Sequence, residues 1–269
     1  MMKLYAIVVI AFTLGAANMR AQESDTVKND PQAHKMEWSV SITGAYAMHE
    51  VDFNSLPPIE NCCLGFENTN SIGYGGSLGI SFPLTEGGLR IGLNAGYMQL
   101  PAQFSSFTTD PVYVPGQGTV NAVFKHQIDL TFHAVPVDVM FEYPVLESLW
   151  FGLGVNGNYI ASASYKQLET LEEPSSLTFE NGSKTRIDTT ASLAGYNSLV
   201  INGVVSLRAR LASNLGSIRG IDLSASYVHP FTDVYDPQTW QGLAGNPPRS
   251  YYINAYRISM VRAGLSVAF

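Results

Sequence analysis

Cysteine is nearly missing from this chain: Cys62 and Cys63, side by side, are the only two in 269 residues. A fold held by a disulfide framework is thereby excluded. Charge is also scarce, at 14 % Asp, Glu, Lys and Arg, and leans acidic, with 22 acids against 15 bases and a formal net charge of −7. That balance argues against nucleic acid as a partner. Beyond the first two dozen residues no long unbroken apolar run occurs, so no helix-length membrane span is expected. No three His, Cys, Asp or Glu residues stand at metal-ligand spacing. No catalytic residue, cofactor-binding residue, metal or cofactor is assigned, and the chain is not read as an enzyme.

The N-terminus carries an address. Lys3 precedes an apolar run from Leu4 to Ala17, followed by Asn18 to Gln22. A basic start, an apolar run of that length and small residues after it spell a secretory signal peptide. Residues 1–21 are assigned to it, with cleavage between 17 and 22. Its removal takes Lys3 and Arg20 and no acid, so 13 bases face 22 acids and the balance becomes −9. Residues 22–37, polar and holding Pro31, read as a disordered periplasmic lead-in. Residues 38–269 read as one domain.

That domain alternates with period two, the mark of strands. Trp38 to His49 sets Trp38, Val40, Ile42, Tyr46 and Met48 against Ser39, Ser41, Thr43, Ala45 and Ala47. Ser71 to Leu84, Leu89 to Leu100, Leu149 to Tyr165, Asn197 to Leu211, Ile221 to Tyr227 and the stretch from Tyr251 onward repeat the pattern. In Asn121 to Tyr143 the apolar set changes phase, from Phe124, Ile128, Leu130 and Phe132 to Val135, Val137, Val139 and Phe141. A β-bulge near Pro136 is expected to cause that slip. Eight strands result. Their connections alternate: long at 50–70, 101–120, 166–196 and 228–250, short at 85–88, 144–148 and 212–220. An even strand count with alternating long and short connections is the pattern of bacterial outer-membrane barrels. Asn181-Gly182 signals a type I′ hairpin inside the third long connection.

The polar face is mostly Gly, Ser, Thr, Ala and Asn, which suits a narrow lumen. Aromatics collect at strand ends (Trp38, Tyr46, Tyr74, Phe82, Tyr97, Phe151, Tyr159, Tyr227 and Phe269) as two interfacial girdles would require. The signal peptide, the strand count and the ending Arg262-x-Gly264-x-x-Val267-x-Phe269 resemble the small outer-membrane barrels of the OmpA/OmpX-like and PorT-like kind. The resemblance implies an all-β fold, an eight-stranded antiparallel up-and-down transmembrane β-barrel in the outer membrane of a Gram-negative cell envelope. It also implies that Arg262, Gly264, Val267 and Phe269 form the signal read by the barrel-assembly machinery. A peptidoglycan-binding domain after the barrel is not expected. Outer-membrane lipid is the implied surround.

Three groups of residues stand out. Arg90, Asp129, Asp138, Glu142, Arg208, Arg210, Asp222 and Arg262 fall on the lumen side, where buried charges need partners. They are expected to form a salt-bridged plug rather than a gated pore. Cys62 and Cys63 can join only as a strained vicinal disulfide, since neighbouring Cα atoms lie ~3.8 Å apart and an ordinary bridge needs at least ~4.4 Å. Among the histidines, His133 shares a face with Asp129, His49 neighbours Glu50 and Asp52 at a loop base, and His229 lies with Asp233, Asp236 and Ser250 near the outer rim. The outer connections hold Phe53, Leu56, Phe66, Phe104, Phe107, Tyr113, Phe231, Tyr235 and Trp240, which form either a recognition surface or a cap. The leading function is a structural or interaction role through the extracellular loops, with an extracellular or envelope protein as partner. The alternatives are a narrow pore or carrier for small solutes or apolar ligands, a secretion or assembly partner, and an outer-membrane enzyme.

Overall fold

The computed structural model describes residues 36–57, 59, 65–85, 88–241 and 250–269. All regular structure in them is strand. Eight strands close a ring: β1 (Glu37–Phe53), β2 (Thr69–Pro83), β3 (Arg90–Val114), β4 (Gly118–Leu146), β5 (Leu149–Glu173), β7 (Leu199–Leu215), β8 (Ile218–Pro230) and β10 (Ser250–Ala268). Each pairs antiparallel with its neighbours, and β10 closes on β1 from Ser39↔Ala268 to Phe53↔Ile253. Two short strands lie outside the ring. β6 (Thr185–Ser192) pairs with β5, and β9 (Gln238–Gln241) pairs with β10.

The strands outrun the membrane. A tilted strand crosses in roughly 9–11 residues, whereas β3, β4 and β5 hold 25, 29 and 25. The expected loop at 101–120 is therefore corrected: it is the top of a continuous hairpin, paired from Arg90↔Glu142 to Val114↔Gly118. Likewise the connection at 166–196 begins as strand and returns as β6. At its tip Gly182 has a left-handed φ of +73° and Asn181 does not. A type I′ turn needs both, so that expectation is corrected too.

The phase slip in β4 has a different cause from the one expected. Even-numbered residues of β4 face inward along the strand, from Ala122 to Met140. The β3–β4 pairing keeps one register throughout. The irregularity at this height is in β5, where His133↔Ser162 is followed by Ala134↔Ile160 and Ala161 is the extra residue. Side-chain direction in β4 never changes; chemistry does. Below Ala134 the outward residues are Val135, Val137, Val139, Phe141 and Tyr143, and Asp138 and Glu142 point in. Above it the outward residues are Lys125, Gln127, Asp129, Thr131 and His133, and Phe124, Ile128, Leu130 and Phe132 point in. β3 inverts at the same level, between outward Tyr97 and inward Met98, and β10 between outward Val261 and inward Met260.

The interior therefore has two storeys. The lower is polar and charged. The upper is a packed apolar core containing Phe53, Leu56, Phe66, Phe104, Phe132, Ile253, Tyr235 and Tyr256. Higher still, Ala122, Phe124 and Leu171 form a second small core beneath Leu177 and Phe179 of the 174–184 hairpin.

Candidate functional site

The charged groups of the lower storey occupy inward positions of six strands. At its base Arg90 donates to Glu37 at 2.9 Å. Arg210 bonds Asp222 at 2.8 Å and Glu37 at 3.4 Å. Arg208 donates to Glu142 at 2.7 Å and to Asp222 at 3.1 Å. The guanidinium of Arg208 lies 4.7 Å from the Trp150 ring centroid, and that of Arg210 5.5 Å. A separate pair stands higher: Arg262 holds both oxygens of Asp138, at 3.1 and 3.2 Å, and also donates to Ser226. Asn156 donates to Asp138, and Asn202 to Asn156, both at 2.8 Å.

Glu37, which sequence reasoning left in the lead-in, is the first residue of β1 and is 6 % exposed. Its signal was available: it continues the odd-numbered inward set Ser39, Ser41, Thr43. Four carboxylates (Glu37, Asp138, Glu142 and Asp222) meet four guanidinium groups (Arg90, Arg208, Arg210 and Arg262). The charges of the group balance, and each carboxylate has at least one guanidinium partner. Asp129 is corrected: it points out of the wall above the charged storey, accepting from Gln103 at 2.8 Å and Gln127 at 2.9 Å. Periodicity ranked the faces of β4 by apolarity, and above Ala134 that criterion selects the wrong side.

Between base and upper core lies a chamber of about 150 Å³, lined by hydroxyls of Ser39, Ser41, Ser77, Ser224 and Ser226, with Asn94 and the Arg262–Asp138 pair. Ser77 sits in Gly75-Gly76-Ser77-Leu78-Gly79, a G-x-S-x-G pattern that the sequence reading missed. A nucleophile elbow needs a strand-to-helix turn. This serine is mid-strand in β2 and bonds Ser41 Oγ at 2.6 Å.

The upper storey is a buried apolar and aromatic core. Tyr256 stacks on Tyr235 at 6.3 Å and 6° and meets Phe53, Phe104 and Phe132 at 5.8–5.9 Å. Burial, and then the neighbouring Tyr235, push the Tyr256 phenol well above its ordinary range. His49 enters this core from β1, bonding Tyr256 Oη at 3.1 Å and Ser71 Oγ at 2.9 Å. It is 1 % exposed. Burial lowers it to about 4, with the Pro101 carbonyl pulling weakly the other way. The expected cluster with Glu50 and Asp52 does not form, because those two alternate to the outside of β1.

Outside the ring, chemistry decides the surroundings. Ile42, Ile72 and Leu78 are 67 %, 73 % and 65 % exposed on the outer wall, among Val40, Leu93, Phe141, Leu153 and Leu265. Trp38, Tyr143, Phe151 and Phe269 rim one end of this band, and Tyr74, Tyr97, Tyr159 and Tyr227 the other. A sealed ring without edges, oily outside and polar within, satisfies its backbone in lipid. The chain is an eight-stranded barrel of the outer-membrane kind.

No protein-family model matches the chain, and no curated protein matches it in sequence. Among solved structures it is similar to Ail, the attachment invasion locus protein of Yersinia pestis. The identity is 11 % and the TM-score 0.39, over 87 % of this chain and 99 % of that one. It is also similar to Neisserial surface protein A, at 10 % and 0.34 over 86 % and 97 %. The outer membrane protease OmpT of Escherichia coli follows at 13 % and 0.31, over 92 % and 99 %.

The remaining candidate residues disperse. His133 points outward and bonds Tyr97 Oη at 2.6 Å, at the upper aromatic rim. His126 faces the inside of the extension, 3.0 Å from Thr108 Oγ1 and 4.0 Å from Glu169, which Arg186 holds from the other side. His229 stacks on Tyr227 and meets Phe231 edge-on; Asp233 pairs with Arg257, and Asp236 accepts from Asn197. His229, Asp233 and Asp236 of the outer rim are thus engaged separately, and the Ser250 side chain lies outside what the structure describes. Among the described residues no three His, Cys, Asp or Glu come together as metal ligands. Cys62 and Cys63 lie outside the described residues. Of the terminal motif, Arg262 and Gly264 face the lumen and Val267 the outer wall. A Cβ at Gly264 would sit 2.9 Å from Ser224 Oγ and 3.2 Å from Ile42 O, so close packing favours glycine there independently of any signal. Of the loop aromatics, Phe53, Phe66, Phe104 and Tyr235 belong to the cap, whereas Phe107, Tyr113 and Phe231 are exposed.

Proposed function

We propose that this protein is a non-conducting, non-enzymatic barrel of the outer membrane that acts as a contact protein through its extracellular sheet. The observation that supports this most directly is the inversion of the wall. Above the upper tyrosine rim, β3, β4, β5 and β6 continue as a sheet with a polar exterior and its own apolar interior, the construction of a water-soluble domain. Building so far beyond the lipid adds nothing to anchoring. Phe107 and Tyr113 stand exposed on that sheet, and rigid aromatic side chains are effective anchors for a protein partner. The lumen is closed by the balanced ion pairs below and the aromatic core above, which supports an interaction role over transport. Arg262, Gly264, Val267 and Phe269 are further proposed as the stretch that barrel-assembly machinery reads.

The test is to replace residues 105–127 by a tight turn. The shortened barrel should still migrate differently when boiled and unboiled, and should lose the envelope or extracellular protein crosslinked to the full chain in native membranes. Retention of that protein by the shortened barrel overturns the contact role. Steady conductance of the full chain at neutral pH overturns the closed lumen.

A further inference from the structure

His49 is the one imidazole inside the aromatic core among the described residues, and its position is mechanically exposed. β2 pairs with β3 only from Tyr74↔Gln99 downward, so Thr69 to Gly73 are held on the β1 side alone. His49 reaches from β1 to Ser71 on that part of β2 and to Tyr256 on β10, with the edge of Phe104 from β3 against its ring. One side chain thus joins the half-held top of β2 to the aromatic plug.

The groups facing it offer no counter-charge. β10 presents the Tyr256 phenol, β2 the Ser71 hydroxyl, and β3 the Phe104 ring and the Pro101 carbonyl. Glu50 and Asp52 of its own strand point out of the wall, Asp52 bonded to Asn254. Arg257 of β10 is also outside, bonded to Asp233. A cation formed here would have only dipoles for company, and water would have to enter to solvate it.

We propose that His49 is an acid-sensitive latch on the upper storey: taking up a proton, it draws water into the aromatic core and releases the top of β2 from it. The trigger range follows from its burial: the ring is neutral at ordinary pH and gains its proton only as pH falls toward about 4. The release is reversible, because no covalent bond changes.

Amide hydrogen exchange of the full chain in detergent at pH 7 and about pH 4, read as protection factors, tests it. The expected result is protection of residues 69–73 at pH 7 and its reversible loss at about pH 4, with protection kept at both values in His49→Gln. Equal protection at both values overturns the latch, as does an acid loss that persists in His49→Gln. Should His49→Gln not assemble, NMR titration of the native His49 ring replaces it. A ring midpoint that departs from the midpoint of the protection loss overturns the proposal.

Discussion

Through β3, β4 and β10 the lower and upper halves of this barrel share one backbone parity, yet they are inside-out copies of each other. Below Ala134, β4 sends Val137, Val139 and Phe141 outward and Asp138 and Glu142 inward; above it, Gln127, Asp129 and Thr131 go outward and Ile128, Leu130 and Phe132 inward. Parity is set by the pleat and cannot change without an inserted residue. What each face wants is set by its surroundings: lipid outside and ion pairs inside for the lower half, water outside and a packed core for the upper. A change of apolar phase along a membrane strand can therefore mark the exit from lipid, and here it does so on β3, β4 and β10 at one level.

Four experiments break or sharpen that contrast. The largest effect belongs to the lower interior. Asp222→Ala leaves Arg208 and Arg210 without their shared acceptor. Loss of one partner from a buried pair costs about 3–5 kcal/mol, and denaturant unfolding in detergent should show it. A loss under about 1 kcal/mol would mean that water fills in for the carboxylate.

Next comes the upper interior. His49 is lowered from 6.5 to about 4 in the folded protein, so the unfolded chain takes up the proton first. The stability this neutral histidine permits is complete above about pH 6.5 and is lost as pH falls toward 4. Each tenfold difference in proton affinity between the folded and unfolded chain is worth ~1.4 kcal/mol, so the loss amounts to about 3 kcal/mol. It should appear in the pH dependence of the unfolding midpoint of the native chain and be absent from His49→Gln.

The outer wall gives the paired comparison. Val139→Arg places a cation on the lipid face and should cost about 2–4 kcal/mol, the range for such residues near the bilayer midplane. Thr131→Arg, on the same strand and the same face but above the rim, should stay within about 0.5 kcal/mol. Equal costs would show that the lipid boundary does not lie between them. Comparably small is Asp129→Ala, on the outer wall above the rim, where loss of its contacts with Gln103 and Gln127 should change stability by less than about 0.5 kcal/mol.

Much of the fold was legible because alternation is a local property. Trp38, Val40 and Ile42 against Ser39, Ser41 and Thr43 declare a strand with two unlike faces, and eight such stretches make a closed sheet. Arg90, Arg208, Arg210, Asp222 and Arg262 were legible as lumen charges because each lies on the less apolar face of its strand. Asp129 misled for the same reason: it too lies on a less apolar face, but of a segment that has left the lipid. Glu37 was hidden by its nearness to a polar lead-in.

Sequence by itself determined the strands, their number and the residues that share a face, since these follow from a two-residue repeat that needs no distant partner. Only the tertiary structure decided which face is the inside at each height, which carboxylate each arginine holds, and that His49 lies within an aromatic core. Those depend on ring closure and register, which bring Glu37 beside Arg90 and Arg210, and His49 beside Tyr256, from opposite ends of the chain.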